Sequence, residues 1–142
     1  DEGQGAIPLG KASVAVSGSD ITIISYSGTM LTVMGALAAL GEAGVSAEVV
    51  DLRTVSPWDK ETVLASVRKT GRALVVHEAV RSFGVGAEIA ATISEELHGQ
   101  LKAPVRRLGG PYSSVPFSKP LEDAFLVQPD DVVAMAKEMV GK

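Results

Sequence analysis

The apolar positions of this chain fall into short dense runs separated by longer segments of helical period. Ser13 to Val16 alternates, and after a Gly18-Ser19 turn Ile21-Thr22-Ile23-Ile24-Ser25-Tyr26 forms a second, more apolar strand. On local spacing alone these two make a hairpin. Ser27-Gly28-Thr29 opens a helix to about Ala43, closed by Gly44 where a left-handed cap is wanted. That helix is apolar almost all round (Met30, Leu31, Val33, Met34, Leu37, Leu40), which predicts burial between the sheet and a further layer or subunit. Next comes the stretch the chain is organised around, Glu48 to Asp59. Its β-branched start reads as a strand buried on both faces, and continued extension would put Asp51 and Arg53 on one side. Pro57 disfavours helix at Ser56, and Asp59 is a good N-cap for a helix from about Lys60 to Lys69, ended by Gly71.

The same alternation continues. Ala73 to Val76 is a buried strand, and a helix from about Gly84 to His98 carries Ile89, Ile93 and Leu97 before stopping at Gly99. Pro104 introduces a last strand, Val105 to Leu108. Asp130, after Pro129, caps a terminal helix with Val132, Ala136, Met139 and Val140 on one face. Strands alternating with helices at this spacing predict an α/β fold with a parallel sheet covered on both faces; strand order is not contained in the pattern. From Gly109 to Pro129 no period is sustained, which predicts a long loop that is functional or runs across a neighbouring surface.

Composition narrows the classes. The chain is 46% apolar and 21% charged with net charge −4 and no basic block, which argues against nucleic acid. It has no cysteine, so disulfides, thiolate metal sites and a cysteine nucleophile are excluded. No apolar run approaches the ~18 residues of a membrane span, and no secretory pattern opens the chain. Asp1 to Gly5 reads as a polar linker; the expectation is a piece of a longer protein, with residues 1–12 as interdomain linker and 13–142 as the domain.

Ligands of open parallel sheets sit at the carboxyl ends of the strands. Four groups are expected there: Ser25, Ser27 and Gly28; Asp51 and Arg53; His77 and Glu78; Arg106 and Arg107. They form either a small-anion crevice or a solvated rim in which Asp51 and Arg53 pair with loops, and the absence of a phosphate-binding fingerprint favours the rim. Gly84-Val85-Gly86 is not that fingerprint, because its third glycine would fall on Ile89; these glycines are expected to ease a tight turn. His77 and Glu78 are sequence neighbours and so point in different directions along a strand. His98 suits a helix end, and two histidines make a poor metal site. With no G-x-S-x-G elbow and no carboxylate pair at metal-ligand spacing, the residues by themselves describe a scaffold without a reaction centre.

Several segments together resemble one family: Ile7 to Ala12, Val50-Asp51-Leu52-Arg53-Thr54 with Pro57 and Asp59, Ser66 to Arg72, Val76-His77-Glu78-Ala79, Ala103-Pro104-Val105 and Val115 to Glu122. The chain resembles, over essentially its whole length, the C-terminal domain of the beta subunit of the thiamine-diphosphate-dependent decarboxylating component of 2-oxo acid dehydrogenase complexes. Relatives include the pyruvate, branched-chain and acetoin enzymes and, more distantly, transketolase. The resemblance implies a three-layer α/β/α domain on a five-stranded, mostly parallel mixed sheet. In it the first strand is an antiparallel edge beside the strand ending in Asp51, not half of a hairpin.

The resemblance further implies that thiamine diphosphate and its magnesium belong to the parent enzyme and are not bound by this domain alone, so that no catalytic, cofactor or metal residue is inherited. Its implied role is subunit assembly, with the alpha subunit, a second beta subunit and the dihydrolipoyl acyltransferase core as partners, in the bacterial cytoplasm or mitochondrial matrix. Bacterial pyruvate relatives dock the acyltransferase through acidic residues and the terminal carboxylate. The matching positions are Gln100, Lys102 and Arg106, with the terminus on Lys142, so the charge here is reversed. Rival expectations are a small-anion-binding module and a transketolase-like two-carbon transfer domain.

Overall fold

The computed structural model describes residues 6–142. Five strands build one sheet: β1 (Ser13–Val16), β2 (Ile21–Ser25), β3 (Ala47–Asp51), β4 (Ala73–Val80) and β5 (Arg106–Gly110). Five helices accompany them: α1 (Thr29–Glu42), α2 (Lys60–Thr70), α3 (Val85–Glu96), α4 (Lys119–Phe125) and α5 (Pro129–Val140). The strand order is β1-β3-β2-β4-β5, parallel except for β1.

The hairpin expected from local spacing does not form. β3 lies between β1 and β2, and β1 runs antiparallel to it with Ser13 opposite Asp51. Gly18 explains the wider turn. Its N–H donates to Glu48 Oε2 at 3.3 Å, and a Cβ there would collide with the backbone of Ala47 and Glu48. The next two amides, of Ser19 and Asp20, donate to the Ser46 carbonyl. The turn therefore wraps the start of β3 instead of closing a two-strand ribbon.

Every residue of β2 is buried, and β3 is buried until Asp51. Alternate side chains feed two cores. Ile21, Ile23, Val49, Leu74 and Val76 meet α1 and α5 through Val33, Leu40, Val132 and Ala136. Ile24, Val50, Ala73 and Val75 meet α2 and α3 through Val63, Val67, Ile89 and Ile93. Each aliphatic side chain sealed this way contributes about 1.5–3 kcal/mol. The apolar α1 is half explained by α5, but Leu31 and Met34 still face solvent.

Polar atoms on the α2 face are satisfied as a network. Glu48 accepts from Gly18 N–H, from Ser66 Oγ at 2.6 Å and from Lys69 Nζ; Thr22 Oγ1 shares hydrogen bonds with Ser66 Oγ and Thr70 Oγ1 at 2.8 Å each. Helix ends follow their sequence signals at α2, where Asp59 accepts from Thr62 N–H and Gly71 takes φ 76°. Two expectations are corrected. Asp130 is not the cap of α5: Gln128 is, in a reciprocal capping box with Asp131. The segment from Gly109 to Pro129 is not all loop, since Lys119–Phe125 forms α4, supported by ion pairs of Lys119 with Glu122 and Asp123. Its single turn pair is too short to show a period. Of the expected linker, the described part is held by Gly10 N–H on Thr54 Oγ1 (2.9 Å) and Ala12 N–H on Asp59 Oδ2 (3.1 Å); residues 1–5 lie outside the described residues.

Burial opposes ionisation of Glu48, but Lys69, Ser66 and the Gly18 N–H outweigh it and lower its pKa; Asp59 is lowered likewise, against burial, by Thr62, Ala12 and Lys11. Folded-state pKa values below the unfolded ones mean stability that is present above the ordinary carboxylate range and lost as pH falls through the folded values. Glu48→Ala, which leaves the Gly18 N–H without its acceptor and takes one partner each from Ser66 and Lys69, is expected to cost about 2 kcal/mol at neutral pH. Urea unfolding at pH 7 and pH 4 checks both, with a smaller acid loss in the variant.

Candidate functional site

β2, β3, β4 and β5 all leave the sheet at one end. The order reverses between β2 and β4, so the crevice of the fold lies beyond their last residues. Ser25 closes β2, and its hydroxyl donates to Thr29 Oγ1 at 3.0 Å, which in turn donates to the Tyr26 carbonyl at 2.7 Å. Ser27 takes φ 55° and Gly28 starts α1. A Cβ on Gly28 would stand 2.7 Å from Glu78 Oε1, so the bare glycine lets the β2 and β4 exits approach. The cleft left beside them, about 170 Å³, is lined by Thr29, Thr32, Glu78, Asp123 and Gln128. Its two carboxylates suit a cation-facing surface better than an anion site.

Asp51 and Arg53 do not form a facing pair. β3 ends at Asp51, Arg53 takes φ 59°, and Asp51 Oδ1 accepts the Arg53 backbone N–H at 3.0 Å while the guanidinium stays exposed. The carboxylate shapes the turn. Arg106 and Arg107 are also displaced from the strand ends: they open β5, opposite Leu74 and Val75 of β4. β5 is one residue later than expected and continues through two glycines that carry no strand propensity of their own. Arg106 pairs with Glu138 at 3.0 Å, whereas Arg107 reaches forward to donate to the Arg81 carbonyl at 2.7 Å.

His77 and Glu78 point to opposite faces of β4, as alternation requires. Glu78 is exposed on the α1 side, and His77 is 0% exposed on the α3 side with both ring nitrogens lacking a partner. Three glycines make its space. A Cβ on Gly86 would lie 2.6 Å from Nε2, one on Gly109 3.0 Å from Nε2, and one on Gly84 2.9 Å from Cε1. Gly84 and Gly86 thus do more than ease a turn: they admit an imidazole. Burial, then the charge of Arg107, lowers the His77 pKa and holds the ring neutral. Tyr26 stands on another side, ring centroids 6.4 Å apart.

The docking candidates lie at the opposite end of the sheet and are each engaged by the fold. Gln100 N–H donates to the Leu97 carbonyl, Lys102 Nζ to the Thr70 carbonyl at 3.1 Å, and Lys142 Nζ to the Gly44 carbonyl. Lys102 serves the end of α2 and Lys142 that of α1, whereas Arg106 pairs with Glu138 of α5, so the four share no single cavity. Among the described residues no three of His, Asp and Glu converge as metal ligands. That donor set does not fit a magnesium diphosphate, which wants converging oxygen ligands, and no catalytic step is assigned to thiamine diphosphate here.

Comparison with known proteins agrees with this geometry. Residues 10–132 match the family described as transketolase, C-terminal domain. The chain belongs to that family. It is 54% identical over 107 residues to the mitochondrial 2-oxoisovalerate dehydrogenase subunit beta of Chaetomium thermophilum, covering 73% of this chain and 23% of that one. It is 37% identical to the acetoin:2,6-dichlorophenolindophenol oxidoreductase subunit beta of Bacillus subtilis (96% of this chain, 40% of the relative). It is 44% identical to the pyruvate dehydrogenase E1 component subunit beta of Staphylococcus aureus (93% and 40%). The chain thus spans well under half the length of these relatives. A split-gene transketolase solved as an inactive beta4 tetramer superposes with TM-score 0.82 at 25% identity, covering 95% of this chain and 44% of that one. This transketolase C-terminal domain therefore has the five-stranded mixed sheet that the resemblance implied, with β1 as its antiparallel edge. No described helix is long and apolar enough to cross a membrane.

Gly86→Ala is expected to cost about 2 kcal/mol by crowding His77, and His77→Ala in the same chain to recover part of that loss. A urea-unfolding double-mutant cycle reads the coupling; simple additivity would mean the ring does not depend on that space. Because the folded His77 pKa is lowered, the unfolded chain binds more protons, so stability falls as pH drops below about 6.5. That part of the pH slope should be missing from His77→Ala.

Proposed function

We propose that this chain is the C-terminal assembly domain of the beta subunit of a thiamine-diphosphate-dependent 2-oxo acid or acetoin dehydrogenase complex. The observation that carries the reading is the unequal character of the two ends of the sheet. Each parallel strand is followed by an exposed large apolar side chain at the same end: Leu31 after β2, Val55 after β3, Phe83 after β4 and Tyr112 after β5. Val115, Phe117 and Leu121 extend the set through the β5–α4 connection, with Phe83 93% exposed and α4 burying no residue of its own. Apolar area gathered on one edge marks a surface that another protein covers. The opposite end carries charge instead: Lys69 with Glu48, Arg106 with Glu138, and Lys102 and Lys142 on helix-end carbonyls.

In this reading the apolar end meets the rest of the parent enzyme, the alpha subunit and a second beta subunit. Gln100, Lys102, Arg106 and Lys142 at the charged end face the dihydrolipoyl acyltransferase core. Thiamine diphosphate with magnesium supplies the carbanion chemistry of decarboxylation in the parent, outside these residues, and the acyl group passes to a lipoyl arm. The names of the relatives support this assignment. The setting is the bacterial cytoplasm or the mitochondrial matrix.

Light scattering on the chain alone and mixed with the alpha subunit and acyltransferase of the same genome tests the proposal. The expected result is a dimer or a stable mixed complex. Phe83→Glu with Phe117→Glu should weaken it by about tenfold or more while the melting temperature stays unchanged, both side chains being solvent-exposed. Lys102→Glu should weaken only the acyltransferase contact. A monomer that binds neither protein, or decarboxylation by the chain alone with thiamine diphosphate and magnesium, would overturn the reading.

A further inference from the structure

Beside the outer strand β5, between the exit of β4 and the α4–α5 turn, runs a groove of about 530 Å³, within the ordinary range for a small-molecule site. Arg81, Arg107, Tyr112 and Phe125 line it, together with Gly109 and Gly110 of β5. A Cβ on Gly110 would stand 2.9 Å from Phe125 Cε1, so the glycine lets the ring lie against the strand.

The charge in this groove is unbalanced. Among the described residues four cations are paired: Lys60 with Glu96, Lys69 with Glu48, Arg106 with Glu138, and Lys119 with Glu122 and Asp123. Among the described residues neither Arg81 nor Arg107 forms an ion pair. The Arg107 guanidinium is nonetheless positioned, because Nη1 donates to the Arg81 carbonyl at 2.7 Å and leaves its other donors free. The one acid that lines the groove, Asp131, has Oδ2 engaged by the Gln128 N–H at 2.8 Å in the cap of α5. Two arginines without an ion pair and two aromatic residues lining one groove supply donors for an oxyanion by forked hydrogen bonds and rings for stacking a flat body.

We infer that this groove binds a small organic anion, an oxyanion group taken by Arg81 and Arg107 on a flat apolar body flanked by Tyr112 and Phe125. Of the groups expected at the strand ends only Arg107 lines it, and Tyr112, counted above with the apolar end, makes it a site of the uncovered chain. Its ligand is a carboxylate or a phosphate monoester, the two sharing the chemistry that a guanidinium recognises.

The test is a titration of the 142-residue chain with phenyl phosphate, with benzoate and with the neutral phenol, followed by calorimetry and by the backbone amide signals of Gly109, Gly110 and Tyr112. Saturable binding of at least one anion is expected, weakening as salt rises, with phenol bound at least about tenfold more weakly. The anion that binds more tightly identifies the headgroup. Arg81→Gln should weaken binding by about tenfold. Arg68→Gln, on the exposed face of α2 away from the groove, should leave it unchanged. No saturable response to either anion, or equal losses in the two variants, would overturn the inference. The mass of the chain is a separate readout, so that failure would leave the assembly proposal standing.

Discussion

β2 pairs in parallel with β3 on one side and β4 on the other, and all five of its residues are out of contact with water. A strand in that position has no polar face to offer, so both faces of the sheet need a helical layer. α1 and α5 supply one and α2 and α3 the other. The few polar atoms near this centre survive only because they satisfy one another. Thr22, Glu48, Ser66, Thr70 and Lys69 form a continuous set of hydrogen bonds on the α2 side, anchored to the backbone at Gly18.

Parallel pairing also decides where everything else goes. It brings the exits of four strands to one end and the ends of the crossover helices to the other. The two ends of the domain therefore acquire different chemistry without any further device. At the strand-end side the chain shows bulky apolar groups, an acidic cleft at the order reversal and an arginine-lined groove beside β5. At the helix-end side it shows lysines capping carbonyls and surface ion pairs.

His77 shows how a catalytic residue type can be taken up by packing. Its ring is fully buried in space left by three glycines from two different segments, with Arg107 near enough to oppose its protonation. A neutral imidazole enclosed in this way has no route to a substrate. One of these glycines, Gly109, also lines the neighbouring groove.

Local chemistry determined most of the elements. β-branched runs, the Asp59 cap and the left-handed Gly44 and Gly71 placed β2, β3, α1 and α2 nearly to the residue, since each of those signals acts within a few positions. The alternation that set His77 and Glu78 on opposite faces was equally local. What pattern could not carry were the relations between distant segments. β3 entered between β1 and β2 because Gly18 packs on Ala47 and Glu48, a contact across about thirty residues. Resemblance to a family supplied that order where periodicity did not. Arg53 left the extended path at a left-handed turn and so never faced the crevice with Asp51. Arg81 and Arg107 became neighbours only through the pairing of β4 with β5, and α4 was too short to leave a period. Sequence by itself determined which segments are strands and helices, because those preferences are local. Which charges and rings share a groove was decided by sheet order and register, which depend on contacts that no local window contains.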